Sequence, residues 1–353
     1  ETQRHRETQR ETQRERQRER GAEKRGTVVI TEGILKTSVM VNILHWMQLY
    51  LPAILINVIL LQFSDTWSLF ILFNSSWQIT WFLMSAGVPG FMTNRMSYVD
   101  VAWPWGLVLI GLLAYWFGTG YFLRKLIIAS QYIFMGGRMG LGAVLLMGHF
   151  KHELPRYVFQ RQRWRARGDH NETLTLQLEI FVQAAANVSC LAIPAMLQAY
   201  NPRPELTWVE FLSYALWIGA YVMESTADAQ KMIFAQRCQK QGLRKQTCQV
   251  GLWRFSRHPN YFAEWMVWNA LVLGSLQSLI DLAPVENTIA SATMAFGLSQ
   301  TTYLMYWCLT EYTGCVPAEF FSLQKRPDYA RYQKETNMFF PGPWTSIPDS
   351  APQ

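Results

Sequence analysis

The chain has 353 residues, half of them hydrophobic and 14% aromatic, but only 16% charged, against roughly 25% in an average soluble domain. Its net charge of +7 does not indicate nucleic-acid binding, because the basic residues cluster in short segments between long apolar runs, the pattern of the positive-inside rule. Cys190, Cys238, Cys248, Cys308 and Cys315 form no CxxC pair and keep no metal-ligand spacing with histidine, which argues against a disulfide framework or a metal site and for free thiols.

In chain order, residues 1–26 come first, with ETQR recurring at 1–4, 7–10 and 11–14. This low-complexity, mixed-charge stretch has no apolar face to bury, so it is expected to be disordered or a fluctuating solvated helix. Its acidic residues and polar length do not fit a secretory signal. A start at Glu1 instead of Met fits a fragment or a displaced gene start. Residues 27–345 form one transmembrane domain, and 346–353 a short tail.

From Ile34 onward hydropathy length gives an all-α polytopic membrane bundle of about eight spans. They fall near 34–62, 67–84, 102–122, 126–148, 174–197, 208–226, 262–280 and 288–309. Pro52 predicts a kink or a division in the first, and Arg138 interrupts the fourth. Basic segments at 151–167, 231–257 and 325–334 are separated by even numbers of spans, so they share one side. By the positive-inside rule that side is the cytosol, with both termini on it. Arg124 and Lys125 fall on the opposite side.

Polar side chains at membrane depth are costly and often mark a site. Glu179, Gln183 and Asn187 follow i, i+4, i+8 and stack on one helix face. They read equally as the wall of a ligand site and as interhelical hydrogen-bonding glue. Asp100, in SYVDVAWPWG, is placed to bind or protonate a substrate, or to favour the positive end of the helix that starts there. Arg138, in MGGRMGLG, needs an anionic partner, either a carboxylate such as Glu179 or a phosphate. Glu224, Asp228 and Lys231 share a face at the end of the sixth span, with Asp228 and Lys231 expected to pair at i, i+3.

The densest polar segment is GLWRFSRHPNYFAEW, Gly251–Trp265. Pro259 suits the first turn of a helix, with Arg257 or His258 at or before the cap. Open amides there, with Arg254 and Arg257, predict an anion site suited to phosphate. Asn260, Tyr261 and Glu264 carry polarity one turn inward. Lipid headgroup binding by the same residues is the plainer alternative.

This segment resembles the signature of the steroid 5-alpha-reductase-like membrane family, in particular its branch described as a domain of unknown function with a 5-alpha-reductase-type C-terminus. SYVDVAWPWG, RWRARGD, ESTADAQKMIF and SLQKRPDYARYQKETNMFFPGPW resemble that branch in the same order, over about residues 34–345. The resemblance implies a helical bundle with NADPH in a cytosol-facing cavity of its C-terminal half. It implies hydride transfer to a carbon–carbon double bond of a lipophilic substrate of steroid, sterol or fatty type. By resemblance the cofactor-binding residues are Arg254, Arg257, His258, Asn260, Tyr261, Asp228 and Lys231, with Arg326, Tyr329 and Tyr332 in a closing tail; Arg138 joins them as a phosphate partner. Tyr261, Glu264 and Asp100 are the candidate acids. Ala263 stands where the family often has glycine, so a methyl group is expected to bear on cofactor packing there.

Two other functions are carried forward. One is an S-adenosylmethionine-dependent membrane methyltransferase of the isoprenylcysteine methyltransferase type, which shares a related Arg-His-Pro-x-Tyr region. The other is a non-catalytic lipid-binding protein. The expected partners are the bilayer and a lipophilic small molecule, not nucleic acid, and for a eukaryotic chain the endoplasmic reticulum is the expected membrane.

Overall fold

The structure, a computed structural model, describes residues 39–147, 152–169, 171–243 and 245–343. The expectations for residues 1–26 and 346–353 lie outside the described residues. The architecture is all-helical, with 80% helix and no strand among the described residues. The helices are α1 (Val39–Phe63), α2 (Ser68–Phe82), α3 (Val88–Thr93), α4 (Val99–Phe117), α5 (Phe122–Met147), α6 (Pro155–Arg167), α7 (Glu172–Val188), α8 (Ile193–Tyr200), α9 (Trp208–Lys240), α10 (Pro259–Leu282), α11 (Thr288–Trp307), α12 (Cys315–Lys325) and α13 (Tyr329–Glu335). Three stretches, Leu44–Phe63, Val99–Phe117 and Glu172–Tyr200, are long and apolar enough to cross a membrane.

The helix positions follow the hydropathy pattern, with informative departures. α1 runs unbroken through Pro52, so the expected division does not occur. α5 runs unbroken through Arg138, because carboxylates of α9 answer that guanidinium. The expected span 67–84 continues through a π turn, Leu83–Gly87, into α3. The expected span 208–226 continues as α9 to Lys240, from a capping box in which Thr207 and Glu210 satisfy each other's backbone amides.

The expected span 174–197 is broken. α7 stops at Ser189, and a single 3-10 turn, Cys190–Ala192, leads into α8. Pro194, in the first turn of α8, can donate no backbone bond to the preceding turn. A break at this depth needs substitute partners for the freed carbonyls, and other helices supply them. Tyr132 donates to Leu191 O at 2.6 Å, Thr301 to Cys190 O at 2.7 Å, and Asn74 Nδ2 to Asn187 O at 3.0 Å. The main core lies beside this break. Trp268 of α10 is fully buried there, edge-on to Tyr132 at 6.0 Å and tilted against Trp103 at 6.4 Å.

The bundle has two polar ends. At one, Gly120 and Tyr121 donate to Ala199 O and Asn201 O, both at 2.9 Å. There Arg124, fully buried, pairs with Glu210 and donates to the carbonyls of Asn201 at 3.2 Å, Arg203 at 2.6 Å and Glu205 at 2.8 Å. Lys125 donates to Gly118 O at 3.1 Å. These two cations fell on the unexpected side by charge counting, and both are used internally. The basic segments gather at the opposite end. Arg163 donates to Glu311 O at 2.9 Å, Arg257 to Gln333 O at 2.9 Å, and Thr247 to Asp328 at 2.7 Å.

Candidate functional site: two adjoining cavities

The end that gathers the basic segments holds two cavities. The larger, about 900 Å³, lies among α1, α4, α5, α7, α9, α10 and α11. Leu49, Ala53, Ile56, Leu304 and Met305 give it apolar walls, while Asp100, Arg138, Arg156, Glu224, Asp228, Asn260, Tyr261 and Glu264 supply its polar groups. The smaller, about 520 Å³, lies between the C-terminal half of α9, the segment that precedes α10, and α12 and α13. Lys231, Lys245, Arg257, His258, Arg326, Tyr329 and Tyr332 line it. His258 borders the smaller cavity and Tyr261 the larger. Their rings stack at 5.3 Å, 3° from parallel, so this pair forms part of the wall between the two.

The segment that leads into α10 is built around a turn. Gly251 takes φ +54°, which glycine adopts without the cost borne by other residues. The Gln230 carboxamide of α9 accepts from Leu252 N–H at 2.9 Å and fixes that turn. His258 is the N-cap of α10 and Pro259 its first residue, as the sequence predicts.

The expected pair of open guanidinium forks does not form. Arg257 is buried and donates to both Glu319 oxygens, at 2.6 and 3.1 Å, and to the carbonyls of Gln333 and Thr336. A buried guanidinium must be answered in this way, so Arg257 ties the chain before α10 to α12 and α13. Arg254 Nε donates to Gln249 O at 3.2 Å, and Arg254 lines neither cavity. His258 Nε2 lies 3.2 Å from Glu319 Oε1. Burial lowers the His258 pKa below its ordinary value, against the opposing pull of Glu319. Burial pushes the Glu319 carboxyl up, but hydrogen bonds from His258, Arg257 and Gln333 outweigh it and hold the group at about 2.

Arg138 finds its anionic partners in Glu224 and, at 3.1 Å, Asp228, not in Glu179. Glu179 instead accepts from Gln160 at 3.0 Å and Trp164 at 2.9 Å. The stacked polar face of α7 therefore divides. Glu179 and Asn187 join helices, while Gln183 lines the larger cavity. The expected Asp228–Lys231 pair is absent. Asp228 accepts from Asn260 Nδ2 at 3.0 Å as well as from Arg138. Lys231 lies over the Trp253 ring, 4.2 Å from its centre. Asp100, in the first turn of α4, accepts from Arg156 at 2.5 Å and from the Tyr157 hydroxyl.

Tyr261 and Glu264 sit one turn apart on α10 and face the larger cavity. Neither side chain makes a hydrogen bond or ion pair among the described residues. In the smaller cavity Tyr332 donates to the carbonyls of Trp253 and Ser256, Arg326 donates to Ser322 at 2.9 Å, and the Tyr329 ring packs edge-on to Tyr332. Ala263 is fully buried and lines neither cavity.

Four site residues escape sequence reasoning: Arg156, Tyr157, Lys245 and Glu319. Arg156 and Tyr157 stand in a basic segment whose charge carries a topology signal, which hides a contact 56 residues away with Asp100. For Glu319, a lone carboxyl within VPAEFF is the one available signal, since so isolated an acid needs a partner. All five cysteines are free.

No curated protein and no solved structure matches the chain. It does match the family described as a protein of unknown function, DUF1295, over residues 87–336. That is a membrane family related to the steroid 5-alpha-reductases. The matched region contains every polar residue just named at the two cavities and leaves α1, which supplies Leu49, Ala53 and Ile56, outside it. With that region covering most of its length, the chain belongs to the DUF1295 family.

Proposed function

We infer that the protein is an NADPH-dependent membrane reductase acting on an activated carbon–carbon double bond of a lipophilic substrate. The observation that carries this reading is that Tyr261 and Glu264 both face an apolar-walled cavity of about 900 Å³ with no hydrogen bond or ion pair among the described residues. A cavity of that size and character suits a largely buried organic ligand with a few orienting polar contacts. The residues at the mouth of α10 fit a nucleotide cofactor. Asn260 Oδ1 is buried there with no hydrogen-bond partner among the described residues, an acceptor that a carboxamide N–H would answer.

NADPH, when bound, would supply the hydride. The chain's own residues would do the rest. Glu264 or the Tyr261 hydroxyl would hold a proton toward the substrate carbonyl or its adjacent carbon. Glu224 and Asp228 fix Arg138 at the cavity edge. Asp100 accepts from both Arg156 and Tyr157, which suits orienting those two groups better than donating a proton. The α1 and α11 side chains exclude water and admit a lipid tail. About eight passes, cytosolic termini and an endoplasmic-reticulum membrane complete the proposal.

The test is a titration of the purified protein, in nanodiscs and in detergent, with NADPH, NADH and S-adenosylmethionine, read by thermal stability and tryptophan quenching. Stabilisation by NADPH is expected. Stabilisation by S-adenosylmethionine alone makes the protein a methyltransferase, and silence with all three makes it a non-catalytic lipid binder.

A further inference from the structure

The wall of the larger cavity is divided by chemistry. Every carboxylate and guanidinium among its described lining residues stands on α4, α5, α6, α9 or α10: Asp100, Arg138, Arg156, Glu224, Asp228 and Glu264. The remaining wall, from α1, α7 and α11, contributes no lysine, arginine or acid among the described residues. The His45 imidazole of α1 is engaged by Arg167, which donates to its Nε2 at 2.9 Å. In place of charge, α1, α7 and α11 each supply one carboxamide: Gln48, Gln183 and Gln300. None of the three makes a hydrogen bond among the described residues. Gln183 Nε2 is shut into the wall without a partner there, a state that folded proteins normally avoid. The other members of its polar stack are both used. Glu179 accepts from Gln160 and Trp164, and Asn187 donates to Trp103 O at 3.2 Å. Only Gln183 of that stack lines the cavity, where α1 adds Leu49, Ala53 and Ile56 to the wall. A half-turn about its last side-chain torsion exchanges nitrogen for oxygen, so the amide can offer the cavity a donor or an acceptor. α7 packs against α1, α2 and α4, whereas α10 packs against α8, α9 and α11. Gln183 and the Tyr261–Glu264 pair therefore stand on different sides of the space.

We propose that Gln183, assisted by Gln300, recognises a neutral oxygen, a hydroxyl or a ketone, at the end of a lipid ligand remote from Tyr261 and Glu264. A carboxamide donates to a ketone, and both donates to and accepts from a hydroxyl. A carboxylate or phosphate is disfavoured at that end, because no lysine or arginine of this part of the wall would offset its desolvation. The ligand class is therefore a neutral lipid with hydrogen-bonding oxygens at two separated points. A fatty-acid anion does not fit it, and a plain hydrocarbon end leaves Gln183 unanswered. Placing the other oxygen at the reacting end rests on the reductase reading; binding of the far oxygen by Gln183 does not.

The experiment measures ligand binding to the full chain in nanodiscs by tryptophan quenching, with and without NADPH. The probes share a skeleton and differ at the far end. One set is androst-4-en-3-one against androst-4-ene-3,17-dione; the other is trans-3-heptadecen-2-one against its ω-hydroxy and ω-carboxylate forms. The proteins compared are the wild type, Gln183→Leu and Gln300→Leu. Gln183→Leu breaks no hydrogen bond among the described residues, so it is expected to fold, and Gln300→Leu on a separate helix keeps the test open if it does not. In the wild type the dione or the ω-hydroxy probe is expected to bind about tenfold more tightly than its plain partner, as for one hydrogen bond gained. The ω-carboxylate should bind no more tightly than the plain enone. Gln183→Leu should abolish the advantage and Gln300→Leu reduce it, with the plain probes unaffected. That preference in a protein that binds no NADPH keeps the site and removes the reductase reading. A far oxygen that brings no advantage in either skeleton, or the same advantage in all three proteins, overturns the proposal and leaves the carboxamide to ordered water only. NADPH binding in that case leaves the reductase reading standing. Tightest binding by the ω-carboxylate overturns the proposal as well.

Discussion

Both ends of the bundle collect cations, and they treat them in opposite ways. At the end formed by the α4–α5 connection and the start of α9, Arg124 has no exposed surface and meets a carboxylate and three carbonyls. At the other end Lys231, Lys245 and Arg326 line a cavity with no acid among its described lining residues, while Tyr261 and Glu264 face a second cavity with no hydrogen bond or ion pair among the described residues. Counting charges does not distinguish the two ends. What separates them is satisfaction: groups whose hydrogen bonds close internally hold the fold together, and groups left open next to a cavity are available to a ligand. Arg257 belongs with Arg124 by this criterion, although its sequence neighbours belong to the open end.

The comparison can be broken or sharpened by mutation. Glu264→Gln is expected to lower turnover by about 10²- to 10⁴-fold, the usual contribution of a positioned proton donor, while leaving thermal stability near that of the wild type. A large fall in stability would move Glu264 to the closed class. Arg124→Met leaves Glu210 buried and unpaired, and should cost about 3–5 kcal/mol in unfolding experiments. Arg257→Met should behave like Arg124→Met, with increased hydrogen exchange in α12 and α13.

Acid should loosen the Arg257–Glu319–His258 junction. The folded Glu319 carboxyl titrates near 2, below its ordinary 4.5, so its stabilisation is full above about 4.5 and lost as pH falls toward 2. The His258 value is also lowered, from 6.5, so below 6.5 the unfolded chain binds more protons there and stability falls with pH. Both groups act in the same direction. Hydrogen-exchange protection factors in 315–336, which correct for the slower intrinsic exchange in acid, should therefore fall as pH drops below about 6.5, ahead of those at the Arg124 end. The smallest effect is expected from Arg254→Ala. Losing the bond to Gln249 O should cost about 1 kcal/mol without changing ligand binding, and a tenfold loss of NADPH affinity would restore Arg254 to the site.

Much of the site was legible because local rules place it. Proline at the start of α10 and the i, i+3 spacing of Tyr261 and Glu264 position those groups whatever the rest of the chain does. The partner choices were not legible. Asp228 could pair with Lys231 three residues on, and spacing favours it, yet Arg138, 90 residues distant, takes it. Glu179 was a reasonable partner for Arg138 by charge alone, but Gln160 and Trp164 reach it first.

By itself the sequence determined the all-helical architecture, the approximate helix positions and the clustering of basic segments at one end. Hydrophobic run length and helix-start signals act over one or two turns and need no distant contact. Only the tertiary structure decided which polar groups are closed and which are open. It divided the predicted site residues other than Arg254 between two cavities and made Arg257 a tie to Glu319. It also left Lys231, Lys245 and Arg326 without an ion pair among the described residues. Hydrogen bonds are short and directional and the number of carboxylates is limited, so each pairing excludes others. The outcome depends on how helices far apart in sequence pack side by side.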